Sequence, residues 1–185
     1  MEFIRLTDIS GPYWPQAWEL YERSFPLREL RSLEQHILAM DDPRFFAEVI
    51  TDKEEFIGVI FYWKWDNYRF VEHFAIDPSL RGSGSGSRVL EEFLNNDQSL
   101  VMLEIEPLCD EISERREQFY ERSGFTMNYY RHIHPSFRPS TEAHELLIMS
   151  APRGLKPSEF EEFRRFTFGT ILKYSDLDQS KLPQK

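Results

Sequence analysis

The sequence predicts one mixed α/β domain: a mostly antiparallel sheet of about seven strands, with a central parallel pair and helices on its faces. Residues 44–51, 55–65 and 68–76 are rich in β-branched and aromatic side chains and are separated by turn residues, which is typical of a three-stranded meander. The chain then passes through a Gly/Ser loop and a helical segment into another strand, and such a crossover makes its two strands parallel neighbours. With 185 residues, 41% hydrophobic and 15% aromatic, the chain can bury one core of ordinary size.

The other elements follow from periodicity and from helix breakers. Residues 3–6 predict a first strand, and 14–25 a helix that Pro26 ends. A second amphipathic helix is predicted over 27–40, where leucine and isoleucine recur at helical spacing (Leu27, Leu30, Leu33, Ile37 and Leu38). Beyond the meander, the pattern predicts a helix over 87–96, a strand over 100–106, a helix over 114–124, and strands over 125–134 and 145–150.

The chain is expected to divide into a domain over residues 1–151 and a C-terminal helical extension over 152–185. In the extension, Phe160, Phe163 and Phe166 recur three residues apart, as on one face of a helix. That helix is expected to pack on the domain or on a second subunit, so a homodimer is possible.

Composition excludes several classes of protein. Lys and Arg number 22 against 32 Asp and Glu, a formal charge of −10, which argues against a nucleic-acid partner. No window approaches the roughly 18 apolar residues of a membrane span, and no export signal is evident, so we expect a soluble cytoplasmic protein without a membrane partner. The single cysteine, Cys109, excludes an intrachain disulfide. His132 and His134 share a strand face but lack an evident third ligand, so no metal is expected.

The loop over residues 79–88, SLRGSGSGSR, is either a flexible hinge or a binding loop. Its flanks are an apolar strand and an amphipathic helix. Three glycines at a helix N-terminus allow several backbone N–H groups to converge on an anion, and Arg81 adds a charge. The glycine spacing fits neither the nucleotide P-loop nor the dinucleotide-binding fingerprint.

The stretch RGSGSG at 81–86, preceded by IDP at 76–78, resembles the acetyl-CoA motif of the GNAT superfamily of N-acetyltransferases. Downstream, FYERSGF at 119–125 is similar to the family's Tyr-Glu-x-x-Gly-Phe signature, and the order of elements agrees with the family's fold. The chain departs from the pattern at Ser85, where an apolar residue is usual, and at Ser113 and Arg116, where Asn and Ala are common.

The resemblance implies the GNAT fold, with the central parallel pair splayed to admit CoA, and acetyl-CoA as cosubstrate. It implies backbone contacts to pantetheine from the strand residues Phe74, Ala75 and Ile76, one of whose N–H groups would stabilise an oxyanion. It assigns the pyrophosphate to the loop, namely Arg81, Gly82, Ser83, Gly84, Ser85, Gly86 and Ser87.

An alkyl amine has a pKa near ~10, so a base or a water chain must deprotonate it at neutral pH. We expect Glu72, on the strand face of Phe74 and Ile76, to be that base. Glu104 and Glu106 share a face of the adjacent strand and are expected to bind the amine or to replace Glu72. The resemblance gives Tyr120 the role of general acid for the departing thiolate; the alternative is a core aromatic residue.

The expected activity is transfer of an acetyl group from acetyl-CoA to a primary amine of a small molecule or peptide, by direct attack through a tetrahedral intermediate. A catalytically inactive acyl-CoA-binding sensor of the same fold is the alternative.

Overall fold

The computed structural model describes residues 1–139, 141–178 and 180. Seven strands and five α-helices occur in that part of the chain, in this order: β1 (Glu2–Arg5), α1 (Trp14–Ser24), α2 (Leu33–Met40), β2 (Phe45–Asp52), β3 (Glu55–Trp65), β4 (Tyr68–Ile76), α3 (Ser85–Asn95), β5 (Leu100–Ile105), α4 (Glu111–Arg122), β6 (Thr126–His134), β7 (His144–Ala151) and α5 (Pro157–Gly169). Short 3-10 turns lie at Leu27–Glu29, Pro78–Leu80 and Ile171–Tyr174.

The strands form one sheet in the order β1-β2-β3-β4-β5-β7-β6. Its neighbouring strands are antiparallel except β4 and β5, which are parallel because α3 carries the chain back across the sheet between them. The predicted fold class is therefore confirmed.

Two hydrophobic cores lie on opposite faces of this sheet. The α1 face is covered by α1, α2 and α5, and its core includes Tyr21, Trp63 and Phe163. The α3 face is covered by α3 and α4, and its core includes Val71 and Phe93. Because successive strand residues point to opposite faces, each core strand supplies side chains to both layers.

The prediction of one amphipathic helix over 27–40 is wrong. Leu27–Glu29 forms a single 3-10 turn, Leu30 is extended, and α2 begins only at Leu33. Ser32 starts α2 because its side chain accepts a hydrogen bond from the Gln35 N–H at 3.3 Å, which favours a helix N-terminus there.

The leucine spacing of this segment does not mark its buried face. Leu27, Leu33 and Leu38 are exposed, whereas His36 and Ala39 point into the core. The extended link at Leu30 breaks the helical phase, so residues on either side of it no longer share one stripe.

The C-terminal segment packs on the α1 face. Phe160, Phe163 and Phe166 of α5 all belong to that core, and the Phe166 ring stacks on Trp65 with centroids 3.9 Å apart. Of the predicted extension, residues 179 and 181–185 lie outside the described residues. Within the part of the chain that the structure describes, no helix is both long and apolar enough to cross a bilayer.

Candidate active site

A cleft opens where β4 and β5 separate. Their parallel pairing runs from Tyr68 and Leu100 to Val71 and Leu103, although β4 continues to Ile76. Beyond this point the two strands diverge and line a cavity of about 610 Å³. An edge of β4 without a strand partner is a place where an extended ligand can bind.

The residues predicted to bind pantetheine lie on this free edge. Phe74, Ala75 and Ile76 pair with β3 on one side only, and all three line the cleft. The side chains of Phe74 and Ile76 pack on the α3 face, so the strand is held by its side chains while its second edge faces the cavity.

The glycine loop forms one end of the cleft. Gly82 and Gly84 have φ angles of 78° and 82°, in the left-handed region that favours glycine, and Gly84 is the N-cap of α3. The first N–H groups of a helix have no intrahelical acceptor, so those of Ser85–Ser87 are available to an anion.

The structure places most of the predicted loop residues in the cleft wall: Arg81, Gly82, Gly84, Gly86 and Ser87. Ser83 and Ser85 instead lie outside it, with their hydroxyl oxygens 2.8 Å apart. The hydroxyl of Ser85 thus bonds within the loop at the position where the family usually has an apolar side chain.

Tyr120 lies on α4 and lines the cleft next to this loop. A Cβ atom added at Gly86 would lie 3.2 Å from the Phe119 ring, so α3 and α4 are in close contact beside the tyrosine. Burial raises the pKa of Tyr120 to about 12, which keeps its hydroxyl protonated at neutral pH. The hydroxyl is therefore a donor.

Glu72 does not share the face of Phe74 and Ile76, so that part of the prediction is wrong. Tyr62 pairs with Val71 and Phe61 pairs with His73, which leaves Glu72 as the extra residue of a β-bulge. The bulge turns Glu72 and His73 to the same side, the α1 face.

The carboxylate of Glu72 is held by an ion pair and a second donor. Arg31 binds both carboxylate oxygens, with Nη2 at 2.9 Å from Oε2, and Trp63 Nε1 donates to Oε2 at 2.6 Å. The side chains of Arg31 and Glu72 are 0% and 4% exposed. Although Glu72 lines the cleft, its carboxylate oxygens are already bonded to donors.

Glu104 and Glu106 both line the cleft, and each is bonded to a cationic or imidazole side chain. His132 Nε2 forms a short hydrogen bond with Glu104. Burial alone would raise the pKa of Glu104. The interactions of Glu104 with His134 and His132 outweigh this effect of burial, so the pKa of Glu104 is lowered. Glu106 binds Arg28 at 3.3 Å and Arg116 at 2.8 Å.

A fourth carboxylate, Glu29, lies in the cleft, and the sequence pattern does not indicate it. Its backbone oxygen lies 2.9 Å from His73 Nε2, which fixes the 3-10 turn over the bulge of β4. Its Oε1 is buried and, among the described residues, has no hydrogen-bond partner; His144 Nε2 and Arg28 Nε lie 3.6 and 3.7 Å away. Burial, followed by the charge of Glu106, raises the pKa of Glu29 to about 7.

His134 is buried in the wall of the cleft, and His144 is half-buried near Glu29. Burial lowers the pKa of His134, and burial together with His134 lowers that of His144 to about 4, so both are neutral at neutral pH. No group of three or more potential metal ligands is found in the described part of the chain.

Comparison with known proteins gives the family. A model described as an acetyltransferase (GNAT) domain matches residues 41–127. The structure of a putative GNAT-family acetyltransferase from Bacteroides thetaiotaomicron is 30% identical over 93% of this chain and 98% of that chain, with a TM-score of 0.85. The chain belongs to the GNAT acetyltransferase family.

More distant acetyltransferases of known structure share the fold. An aminoglycoside 6'-N-acetyltransferase complexed with coenzyme A is 16% identical over 81% of this chain and 96% of its own, with a TM-score of 0.56. A spermidine N-acetyltransferase from Vibrio cholerae, solved as a point mutant, is 13% identical over 81% and 94%, with a TM-score of 0.58. No curated protein matches the chain in sequence.

Proposed function

We propose that this GNAT protein transfers an acetyl group from acetyl-CoA to a primary amine in the β4/β5 cleft. The observation that carries the proposal is the cleft itself, whose walls contain both the backbone N–H donors at the start of α3 and a group of carboxylates. An anionic cosubstrate and a cationic amine are thereby both favoured in one cavity.

The CoA end fits its ligand chemically. The N–H groups at the start of α3 and the guanidinium of Arg81 suit a pyrophosphate, and the free edge of β4 suits the amide groups of pantetheine. One N–H of Phe74, Ala75 or Ile76 would stabilise the oxyanion formed when the amine attacks the thioester.

The acceptor end fits an amine. Glu29, Glu104 and Glu106 face the cleft on the α1 side, and Phe25 and Phe137 supply apolar walls. We propose that Glu104 and Glu106 attract and orient the ammonium group, and that Glu72 holds β4 and Arg31 in place. Proteins of this fold act on spermidine and on aminoglycosides, so a small polyamine-like molecule or a peptide amine is the expected acceptor class.

Tyr120 is proposed to donate its hydroxyl proton to the departing sulfur. Its position in the cleft wall beside the α3 loop supports this, as does its protonated state at neutral pH. An acceptor-dependent release of thiol from acetyl-CoA, measured across a panel of polyamines, aminoglycosides and peptides, tests the activity.

Replacing Tyr120 tests the acid role. Tyr120→Phe is expected to lower kcat by about 10²-fold, because a positioned proton donor is lost, while the Kd for acetyl-CoA stays unchanged. Tyr129→Phe is the matched control, since Tyr129 is 92% exposed. An unchanged kcat in Tyr120→Phe would leave the tyrosine as a packing residue.

The sensor alternative predicts binding of acetyl-CoA without thiol release above hydrolysis for every amine in the panel. A cytoplasmic location and a homodimer stay predictions from the sequence.

A further inference from the structure

Four carboxylates line the cleft, and they differ in what they bind. Glu72 is bonded to Arg31 and Trp63, Glu104 to His132, and Glu106 to Arg28 and Arg116. A carboxylate that already accepts hydrogen bonds from fixed side-chain donors is a poor proton acceptor, because protonation would break those bonds.

Glu29 is the exception among these four. Its buried Oε1 has no hydrogen-bond partner among the described residues: Arg28 Nε forms an ion pair with it at 3.7 Å without a hydrogen bond, and His144 Nε2 lies 3.6 Å away. A buried carboxylate oxygen without a donor is costly, and protonation of this carboxyl breaks no hydrogen bond at Oε1. The side chain as a whole is 25% exposed and lines the cavity, so a ligand in the cleft contacts Glu29.

The backbone of Glu29 is placed next to the reacting end of the cleft. Its carbonyl oxygen lies 2.9 Å from His73 Nε2, and His73 is two residues beyond the last β4 residue paired with β5. The ring of His73 is itself packed between Tyr21 and Phe25, at centroid distances of 4.7 and 4.6 Å. The turn that carries Glu29 is therefore anchored at the point where β4 and β5 begin to separate.

We propose that Glu29 is the catalytic base that takes a proton from the acceptor amine; this inference rests on the proposed acetyl transfer. The ammonium loses one proton to the Glu29 carboxylate, and the free amine forms the C–N bond at the thioester carbonyl. As the C–S bond breaks, the hydroxyl of Tyr120 protonates the departing thiolate, and the second proton lost by the attacking nitrogen restores that hydroxyl. The proton held by Glu29 then leaves to solvent.

The electrostatic surroundings of Glu29 agree with this role. The groups that face it are Glu106, Arg28, Glu104, Arg116 and the neutral His144, with His73 at its backbone. Burial and the carboxylates raise its pKa to about 7, close to the value at which a base is both ionised and able to hold a proton at neutral pH.

The test uses the full chain as wild type, Glu29→Gln and the control Glu34→Gln, whose side chain is exposed on α2. Two acceptors are compared: the alkylamine best used by the wild type, and a fluorinated alkylamine that is unprotonated at neutral pH. Glu29→Gln is expected to lose about 10²- to 10³-fold in kcat/KM with the alkylamine and less than about 10-fold with the fluorinated amine. The acid limb of the pH profile near pH 7 should disappear, and the Kd for acetyl-CoA should not change.

Equal losses with both amines, or an unchanged pH profile, would overturn the base role. A wild type that releases thiol with no amine would refute the proposed function itself, and the inference would be rejected with it. Glu34→Gln should match the wild type throughout.

A second measurement does not depend on activity. A carboxyl group whose pKa is raised on folding stabilises the protein below its unfolded pKa of 4.5, and this contribution is lost as pH rises through about 7. The Tm of Glu29→Gln minus that of the wild type should therefore increase between pH 5 and pH 8. A difference that does not vary with pH would contradict the environment assigned to Glu29.

Discussion

The ion pair between Arg31 and Glu72 joins the segment before α2 to the bulge of β4. Arg31 Nε also donates to the Tyr174 carbonyl at 2.8 Å, so the pair connects three parts of the chain. Burial lowers the pKa of Arg31 to about 10, which leaves it charged at neutral pH. Two charges this deeply buried are stable only while they are paired.

Removing one partner should therefore destabilise the protein. Glu72→Gln is expected to lower the free energy of unfolding by about 3–5 kcal/mol, because Arg31 would be left buried with its charge uncompensated. The double variant Arg31→Met/Glu72→Leu should recover most of that loss. Denaturant unfolding measures both.

The double variant also distinguishes a structural role of Glu72 from a catalytic one. If Glu72 is an anchor, the double variant keeps acetyl transfer within about tenfold of the wild type; a loss of about 10²-fold or more would return the base role to Glu72.

The sequence alone does not show that Glu72 and Glu29 have different roles. Strict alternation predicts Glu72 beside Phe74 and Ile76, and one unpaired residue in β4 reverses that assignment. No sequence pattern indicates a functional role for Glu29, since it lies within a segment that the leucine spacing assigns to a helix. Its importance depends on a contact with His73, 44 positions away in sequence.

Among the elements, the entry into α3 gives one wall of the cleft its backbone N–H groups. Gly84 is the left-handed N-cap that turns the chain from the loop into the helix, and Gly86 allows α3 to approach the ring of Phe119. Any side chain at Gly84 would favour a different backbone path and move the N–H groups of the first turn.

Gly84→Ala is expected to lower the free energy of unfolding by about 1 kcal/mol, the cost of a left-handed φ for a residue with a Cβ. It should also raise the Kd for acetyl-CoA. Gly169→Ala is the matched control, because Gly169 lies outside the left-handed region and has no heavy atom near its added Cβ. Denaturant unfolding measures the change in stability, and calorimetry measures the Kd for acetyl-CoA. An unchanged Kd would mean that the backbone geometry at Gly84 does not contribute to CoA binding.

This strand–loop–helix unit is predictable because its signal is local. The apolar strand, the three glycines and the amphipathic helix follow one another within 30 residues. The helix prediction over 27–40 fails because the backbone of Leu30 is extended. Tertiary contacts of Arg31 favour this conformation, and they override the helical spacing of the leucines.

At the scale of the whole molecule, the sheet separates two tasks. The loop, α3 and α4 line the proposed CoA side of the cleft, whereas the turn at Leu27–Glu29 and the segment around Phe137 line the proposed acceptor side, and the C-terminal segment contacts the segment around Phe137 from behind. Asp176 is a central contact of the second group. It accepts hydrogen bonds from Ser32 at 2.9 Å and Arg138 at 3.0 Å, and its N–H donates to the Phe137 carbonyl at 3.0 Å.

Replacing Asp176 should affect the acceptor end alone. Asp176→Ala removes the side-chain hydrogen bonds to Ser32 and to Arg138, the neighbour of the cleft residue Phe137, so we expect a loss of about 1–3 kcal/mol in stability and a higher KM for the amine. The Kd for acetyl-CoA should stay unchanged. Glu161→Ala, on the exposed side of α5, is the control, and a shift in the Kd for acetyl-CoA would contradict this division of the molecule.

Acetyl transfer from acetyl-CoA to an amine in the β4/β5 cleft is the proposed reaction. Its most direct test is to incubate the full chain with acetyl-CoA and the amine panel, and to measure released thiol and acetylated amine in the same samples. Equal amounts of both products are expected with at least one amine, and about 10²-fold or more less of both from Glu29→Gln with a protonated alkylamine. Tight binding of acetyl-CoA with no acetylated amine from any acceptor would contradict it.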